Sequence, residues 1–191
     1  MYECVPSMRR RGFGRIVNIS SIGGRMAVPH LAPYCASKFA LVGLSDSVRS
    51  ELDPYGIRVT TVSPGLMRTG SPLNAEFKGQ HELEYTWFAI SDSLPGLTIS
   101  AERAARQIVE ACRYGDPELT ITLPAKLAAR LSHLAPAIVG RALAVANRAL
   151  PGPTADADGN RRRLGRESET RWTGSVATLL THRAAAANNE L

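Results

Sequence analysis

The sequence predicts an α/β fold built on part of a parallel sheet, because two short apolar segments flank a long segment with helical periodicity. Residues 14–20 (GRIVNIS) and 57–62 (IRVTTV) are rich in β-branched side chains, as buried strands of parallel sheets are. Between them, apolar residues recur at helical spacing over residues 32–52, and Pro54 ends this helix. A strand, a helix and a second strand form a βαβ unit, so we expect parallel strands joined by a right-handed crossover.

The rest of the chain divides into segments with different patterns. Residues 66–100 carry turn signals around a few aromatic residues and predict a long loop with a short helix in it. Ser100 is a candidate N-cap of a helix that ends near Gly115, and residues 118–123 (ELTITL) predict a third strand. We expect three parallel strands within a domain over residues 1–124.

Two segments follow this domain. Residues 125–150 have helical periodicity, kinked or split at Pro136, and predict an amphipathic helical extension. Residues 151–191 lack periodicity and are rich in polar residues and alanine, so we expect a flexible tail.

Cysteine and histidine usage favours a reducing compartment and no metal. The three cysteines, Cys4, Cys35 and Cys112, are odd in number, far apart and outside any C-x-x-C motif. The four histidines are scattered, so we predict no metal site. The first residues also lack the order of a secretory signal, and we therefore expect a cytoplasmic protein.

The net charge of +6 comes mainly from one segment. Residues 125–150 hold 4 basic and no acidic side chains, whereas residues 1–124 hold 13 basic and 12 acidic ones. A nucleic-acid-binding protein needs a broader basic surface, often with aromatic support, and aromatic residues make up only 6% of this chain. We predict no nucleic-acid partner.

Tyr34 and Lys38 are the first candidates for chemistry. They lie four residues apart at the start of the predicted helix, which places both side chains on one face. A cation beside a phenol favours the phenolate, and such a tyrosine can exchange a proton with a hydroxyl or carbonyl group. The spacing Y-x-x-x-K alone also fits an ordinary pair on a helix surface.

Ser21 favours a functional role for the Tyr34 and Lys38 pair, because it follows the first predicted strand at the end where open α/β sheets bind their ligands. The chain then reads GRIVNISSIGG, YCASK and GIRVTTVSPGLMRT in this order. Over roughly residues 1–124, this order resembles the catalytic, C-terminal half of the short-chain dehydrogenase/reductase family. The resemblance implies the last three strands of a Rossmann-like, doubly wound parallel sheet.

The resemblance implies an enzyme that transfers a hydride between a nicotinamide cofactor, NAD or NADP, and a small-molecule carbonyl or secondary alcohol. Ser21 would orient the substrate oxygen, Tyr34 would be the general acid/base, and Lys38 would favour the phenolate and hold the nicotinamide ribose. It further implies a nicotinamide-lining segment formed by Pro64, Gly65 and Thr69. The family often dimerises through the helix at 32–52, so a homo-oligomer is expected.

One departure from the family pattern leaves an alternative open. The family's glycine-rich turn, which binds the pyrophosphate, does not occur in this sequence, since Gly12 and Gly14 precede a strand instead of following one. We expect an N-terminally truncated start and weak cofactor binding by this chain alone. The alternative function is a catalytically inactive remnant that acts as a binding or dimerisation partner.

The basic segment 125–150 has three interpretations. Its helices could contact an anionic membrane surface, could cover a lipophilic substrate pocket, or could pack on the domain and leave a solvated basic face. Tyr85, Trp87 and Phe88 in the preceding irregular region could likewise line a pocket for an apolar substrate or belong to a core.

Overall fold

The computed structural model describes residues 3–94, 96–154, 158–170, 173 and 178–190. The helices of this described part are α1 (Val5–Arg11), α2 (Ala32–Leu52), α3 (Ser71–Asn74), α4 (His81–Ser93), α5 (Ala101–Tyr114), α6 (Leu123–Leu134), α7 (Pro136–Asn147) and α8 (Leu179–Ala187). The strands are β1 (Gly14–Ile19), β2 (Ile57–Pro64), β3 (Met67–Arg68), β4 (Glu76–Phe77), β5 (Ile99–Ser100), β6 (Glu118–Ile121) and β7 (Arg163–Leu164). The chain forms two compact units. The first consists of residues 1–65 and 102–139, and the second consists of residues 66–101 and 140–191.

The first unit contains a parallel sheet in the order β1-β2-β6. Gly14 pairs with Ile57 at one end of the β1–β2 ladder, and Ile19 pairs with Val62 at the other. β2 is the central strand, and its residues from Val59 onward are buried. This sheet confirms the predicted α/β class with three parallel strands.

Helix α2 connects β1 to β2 and has the bounds that the sequence predicts. Leu52, Ile57 and Val59 form a buried cluster with side chains from α1, β1 and α2 packed against it. Val59 and Ile57 are almost completely inaccessible to solvent, which is consistent with the apolar strand pattern.

A single arginine near the end of α2 links this helix to β2 and to the residue before β6. Arg49 Nε donates to the carbonyl oxygen of Val59 at 2.9 Å, and its Nη2 donates to Thr61 Oγ1 at 2.7 Å and to the carbonyl oxygen of Pro117 at 2.9 Å. Charged donors make stronger hydrogen bonds than neutral ones, so these contacts fix α2 along the sheet.

The turn after β1 packs directly on the backbone of α2. Ser20 Oγ donates to the carbonyl oxygen of Lys38 at 3.0 Å. A methyl group added to Gly24 would lie 2.7 Å from that same carbonyl oxygen and 2.5 Å from Ser20 Oγ. Only a residue without a side chain allows this close approach of turn and helix.

The second unit has its own core around α4. Tyr85 and Ala89 of α4 are buried with Leu73 and with Ala185 of α8, and Phe77 packs against them. β3 pairs with β5 in parallel, and β4 pairs with β7 in antiparallel orientation. Tyr85 therefore belongs to a core, which answers one of the questions left open by the sequence.

Helix α4 occupies residues for which the sequence predicts mostly loop. The segment KGQHE contains turn-forming residues, yet Glu82 and Glu84 lie in the first turn of the helix, where acidic side chains are favourable. Tyr85, which follows in this helix, is held by contacts with remote parts of the chain, and sequence periodicity cannot report such contacts.

The described residues after 150 contain regular elements that their composition does not indicate. Tyr85 donates from its phenol to Glu169 Oε1 at 3.2 Å, and His182 Nε2 of α8 lies 3.4 Å from the same oxygen. Burial, together with the Glu169 carboxylate, raises the pKa of Tyr85 above its ordinary value, so the phenol stays protonated and keeps donating. Among the described residues, no helix is long and apolar enough to cross a membrane.

Replacing Gly24 with alanine tests the close approach of the turn to α2. We expect Gly24→Ala to lower the free energy of unfolding by about 1–3 kcal/mol, because the helix backbone must move to admit the methyl group. Gly140→Ala is the control, since Gly140 lies in α7 with open space around it, and we expect no loss there. Urea unfolding followed by circular dichroism measures both, and equal stability of the two variants would contradict the packing.

The buried Asp92 of α4 makes stability depend on pH. Burial raises the pKa of this carboxyl from 3.8 to about 7, so between these values the folded state holds a proton that the unfolded state releases. The free energy of unfolding therefore falls as pH rises from about 4 to about 7. Asp92→Asn removes this loss and stabilises the protein above about pH 7 by on the order of 3–4 kcal/mol.

The control for Asp92 is the exposed Asp116, whose replacement by asparagine is expected to leave the pH dependence unchanged. Thermal or urea unfolding at a series of pH values measures all three proteins. A slope in Asp92→Asn identical to that of the parent protein would exclude Asp92 as its source.

Candidate active site

The carboxyl ends of β1 and β2 lie at one edge of the parallel sheet, and the candidate residues of the first unit follow these ends. Ser21 comes just after β1, and Gly65 comes directly after β2. Tyr34 and Lys38 lie in the first turns of α2, the helix that leaves this edge. Parallel strands present their carboxyl ends together, which is why residues distant in sequence meet here.

Ser21 is held at the start of a short 3₁₀ helix, Ile22–Gly24. Its backbone is extended, and its Oγ accepts a hydrogen bond from the backbone N–H of Gly23 at 3.1 Å. A hydroxyl that accepts from the backbone keeps its own proton free for another acceptor. Ser21 can therefore donate to an oxygen of a ligand.

Tyr34 lies against the turn that carries Ser21. A methyl group added to Gly23 would lie 3.1 Å from Tyr34 Cε1 and 3.5 Å from Cδ1, so the ring packs on the bare backbone of Gly23. The tyrosine side chain is nevertheless 43% exposed. The structure thus brings Ser21 and Tyr34 together and leaves the tyrosine accessible to a ligand.

Lys38 lies one helical turn after Tyr34. Its Nζ donates to the carbonyl oxygen of Ile19 at 3.2 Å and is 5.6 Å from the centroid of the Tyr34 ring. The contact with Ile19 holds the ammonium at the end of β1. An ammonium has three donors, so further N–H groups can bind a ligand while this contact persists.

Two other serines near the site, Ser20 and Ser37, have structural contacts. Ser20 is buried, and its hydroxyl is used by the bond to the Lys38 carbonyl oxygen. Ser37 Oγ donates to the carbonyl oxygen of Tyr34 at 2.7 Å within the helix.

Pro64 is the last residue of β2, and Gly65 follows it in the short link to β3. Gly65 N–H donates to the carbonyl oxygen of Ile121 at 3.1 Å, and a methyl group on Gly65 would lie 2.6 Å from Thr122 Oγ1. Thr69 belongs to the second unit, where it is buried and its Oγ1 donates to Ser71 Oγ at 2.8 Å.

Arg25 is a site-supporting residue that the sequence does not single out. It follows the turn that carries Ser21 (the serine turn, residues 20–24), and its Nε donates to Ser63 Oγ at 3.3 Å, close to the end of β2. Its Nη2 forms an ion pair with Glu118 of β6 at 2.9 Å. Arg25 thereby ties the turn that carries Ser21 to both other strands, and no sequence signal beyond a lone charge marks it.

Comparison with known proteins places the chain in a family. Residues 1–78 match the family model described as short chain dehydrogenase. The dehydrogenase/reductase SDR family protein 7-like of Drosophila melanogaster is 35% identical over 135 residues, which are 70% of this chain and 40% of that protein. The 3-ketodihydrosphingosine reductase of Dictyostelium discoideum is 36% identical over 132 residues, 68% of this chain and 38% of that protein.

A solved structure is similar as well. The short chain dehydrogenase from Burkholderia cenocepacia, determined in complex with NADP, superposes with a TM-score of 0.54 and 25% identity over 72% of this chain and 50% of that one. The chain spans about two fifths of the length of the relatives named above. Together with the parallel sheet, these matches support a protein of the short-chain dehydrogenase/reductase family.

Proposed function

We propose that the chain carries the catalytic half of an NAD(P)-dependent oxidoreductase acting on a carbonyl or secondary alcohol. The observation that carries this proposal is the Tyr34 ring packed on the Ser21 turn, with the Lys38 ammonium 5.6 Å from the ring centroid. Membership of the family and the NADP complex of the Burkholderia relative support it.

Each of the three side chains has a separate role in this proposal. Tyr34 donates its phenolic proton to the substrate oxygen when a carbonyl is reduced and takes it back when an alcohol is oxidised. Ser21 donates a hydrogen bond to the same oxygen and stabilises the negative charge that develops on it. Lys38 stabilises negative charge on the phenol of Tyr34 and binds a ribose hydroxyl.

The residues present fit the nicotinamide end of such a cofactor. When bound, the cofactor supplies or accepts the hydride. Lys38 has donors for the ribose, and the backbone at Pro64 and Gly65 would line the ring. The glycines at 23 and 24 do not offer a pyrophosphate site, because the Tyr34 ring and the Lys38 carbonyl cover them.

The substrate is a small molecule, and a lipophilic one agrees with the name of the Dictyostelium relative, a 3-ketodihydrosphingosine reductase. Either NAD or NADP suits the residues at the nicotinamide end, which do not contact the adenosine ribose that distinguishes the two. A cytoplasmic location is part of the proposal and agrees with the free thiols of Cys4, Cys35 and Cys112.

We also propose that α2 contacts a second copy of the chain. Its outward positions form an apolar face of mostly small residues, which are Ala36, Phe39, Ala40, Gly43 and Leu44, all exposed. The opposite side of the helix packs on β2, so the helix is apolar on two sides. A helix of this kind normally has both sides covered.

Replacing Tyr34 with phenylalanine removes the proposed acid/base group and keeps the ring. We expect turnover of reduced nicotinamide with a panel of short-chain and long-chain ketones to fall about 10²- to 10⁴-fold. Tyr114→Phe is the matched control, because Tyr114 is 74% exposed at the end of α5, and its rate should not change. Absorbance of the reduced nicotinamide measures the rates, and an unchanged rate in Tyr34→Phe would overturn the assignment.

A charge placed on the outward face of α2 tests the oligomer. We expect Ala40→Glu to raise the dissociation constant of a dimer at least about thirtyfold, because a carboxylate would be buried without a partner. Leu83→Glu, at an exposed apolar position of α4, is the control. Sedimentation velocity over a range of concentrations measures both, and dimers that persist equally in the two variants would exclude this face.

A further inference from the structure

Helix α6 presents its large apolar residues to solvent and its small residues to the protein. Leu123, Leu127, Leu131 and Leu134 are 68%, 50%, 55% and 83% exposed. Their spacing places all four on one side of the helix. The helix is therefore amphipathic in the opposite sense to an ordinary surface helix, whose large apolar side faces the core.

The side of α6 that packs on the first unit consists of alanine and serine. Ala125 is 5% exposed, and Ala128, Ala129 and Ser132 are half-buried. Thr122 Oγ1 caps the helix by accepting from the N–H of Ala125 at 3.4 Å. The small residues allow close contact with the protein, so the outward direction of the leucines follows from how the helix is attached.

A row of basic residues lies beside the leucines. Lys126, Arg130 and His133 are exposed and recur at helical spacing, next to the leucine row. No acidic residue occurs between Glu118 and Asp156 in the sequence. The exposed surface of α6 therefore combines apolar side chains with charges of one sign.

Helix α7 shows the same two properties. It has the sequence PAIVGRALAVAN, with Arg141 as its single charged residue, and none of its residues is buried. Ile138 and Val145 are 69% and 62% exposed. At 1.5 Å per residue the helix is roughly 18 Å long, too short to cross the hydrocarbon core of a bilayer, which is roughly 30 Å thick.

We propose that α6 lies flat on an anionic phospholipid surface. Its leucine side chains enter the boundary between head groups and acyl chains, while Lys126 and Arg130 bind lipid phosphates. Charge complementarity selects this partner, because anionic lipids attract basic segments. A second copy of the chain is a poorer occupant, since a two-fold contact would bring these basic rows face to face.

This proposal does not depend on the oxidoreductase function, and it is tested by vesicle flotation. Vesicles of phosphatidylcholine alone are compared with vesicles that also contain roughly 30% phosphatidylserine. We expect binding to the anionic vesicles only, weakened when salt is raised from about 0.1 M to about 1 M. Equal binding to both vesicles, or no binding to either, overturns the proposal.

Paired variants separate the two components of the surface. The double variant Lys126→Gln with Arg130→Gln should have a partition coefficient on anionic vesicles that is roughly thirtyfold lower. The double variant Leu127→Gln with Leu131→Gln should lower the same coefficient roughly a hundredfold or more. The control for charge is the double variant Arg10→Gln with Arg113→Gln. The control for apolar side chains is Leu83→Gln with Val109→Gln, and all four positions are exposed and lie outside α6 and α7. Both controls should change the partition coefficient by no more than about threefold.

A depth measurement keeps the result independent of the variants' stability. Tryptophan fluorescence of Leu127→Trp should be quenched by brominated lipids in anionic vesicles more strongly than that of Val109→Trp. Equal quenching in the two proteins overturns the proposal. If the Leu127→Gln and Leu131→Gln variant dissociates an oligomer and still binds vesicles normally, a second copy covers this surface and the proposal fails.

Discussion

The close approach of the serine turn to α2 is the constraint on which the site depends. Gly24 leaves room for the Lys38 carbonyl oxygen, and Ser20 donates to that oxygen from the same turn. Gly23 leaves room for the ring of Tyr34. Because these contacts fix the helix against the end of β1, they also determine where Tyr34 and Lys38 lie relative to Ser21. The side chains that we propose as catalytic are thus positioned mainly by backbone packing.

The remaining contacts of the first unit maintain that geometry from farther away. Arg49 joins the far end of α2 to β2 and to the residue before β6, and Arg25 joins the serine turn to β2 and β6. Both arginines are partly buried and make several charged hydrogen bonds, which are stronger and more directional than neutral ones. A rigid sheet edge follows, and such an edge suits a site that must hold an oxygen between two donors.

The sequence predicted the features that depend on local pattern. The bounds of α2 follow from helical periodicity and from Pro54, and the parallel strands follow from the order of strand, helix and strand. The roles of Ser21, Tyr34 and Lys38 came from the resemblance to a family with the same order of motifs, and the structure brings their elements to one sheet edge.

The features that the sequence could not predict depend on tertiary contacts. Helix α4 is stabilised by packing around Tyr85, and Arg25 acts through partners 38 and 93 residues away. The outward leucines of α6 belong to the same class, because periodicity finds an apolar side without indicating which side meets the protein.

Nuclear magnetic resonance mapping with nicotinamide mononucleotide tests the central claim most directly. This ligand contains only the nicotinamide and ribose end of the cofactor, which is the part that the residues at the sheet edge fit. At about millimolar concentration, a range suited to a weak fragment, it should shift the backbone amide signals of Ser21, Gly23, Lys38 and Gly65. Signals of α4, which lies in the other unit, should stay in place. Shifts confined to α4 or α8, or no shifts near the serine turn at saturation, would contradict the account.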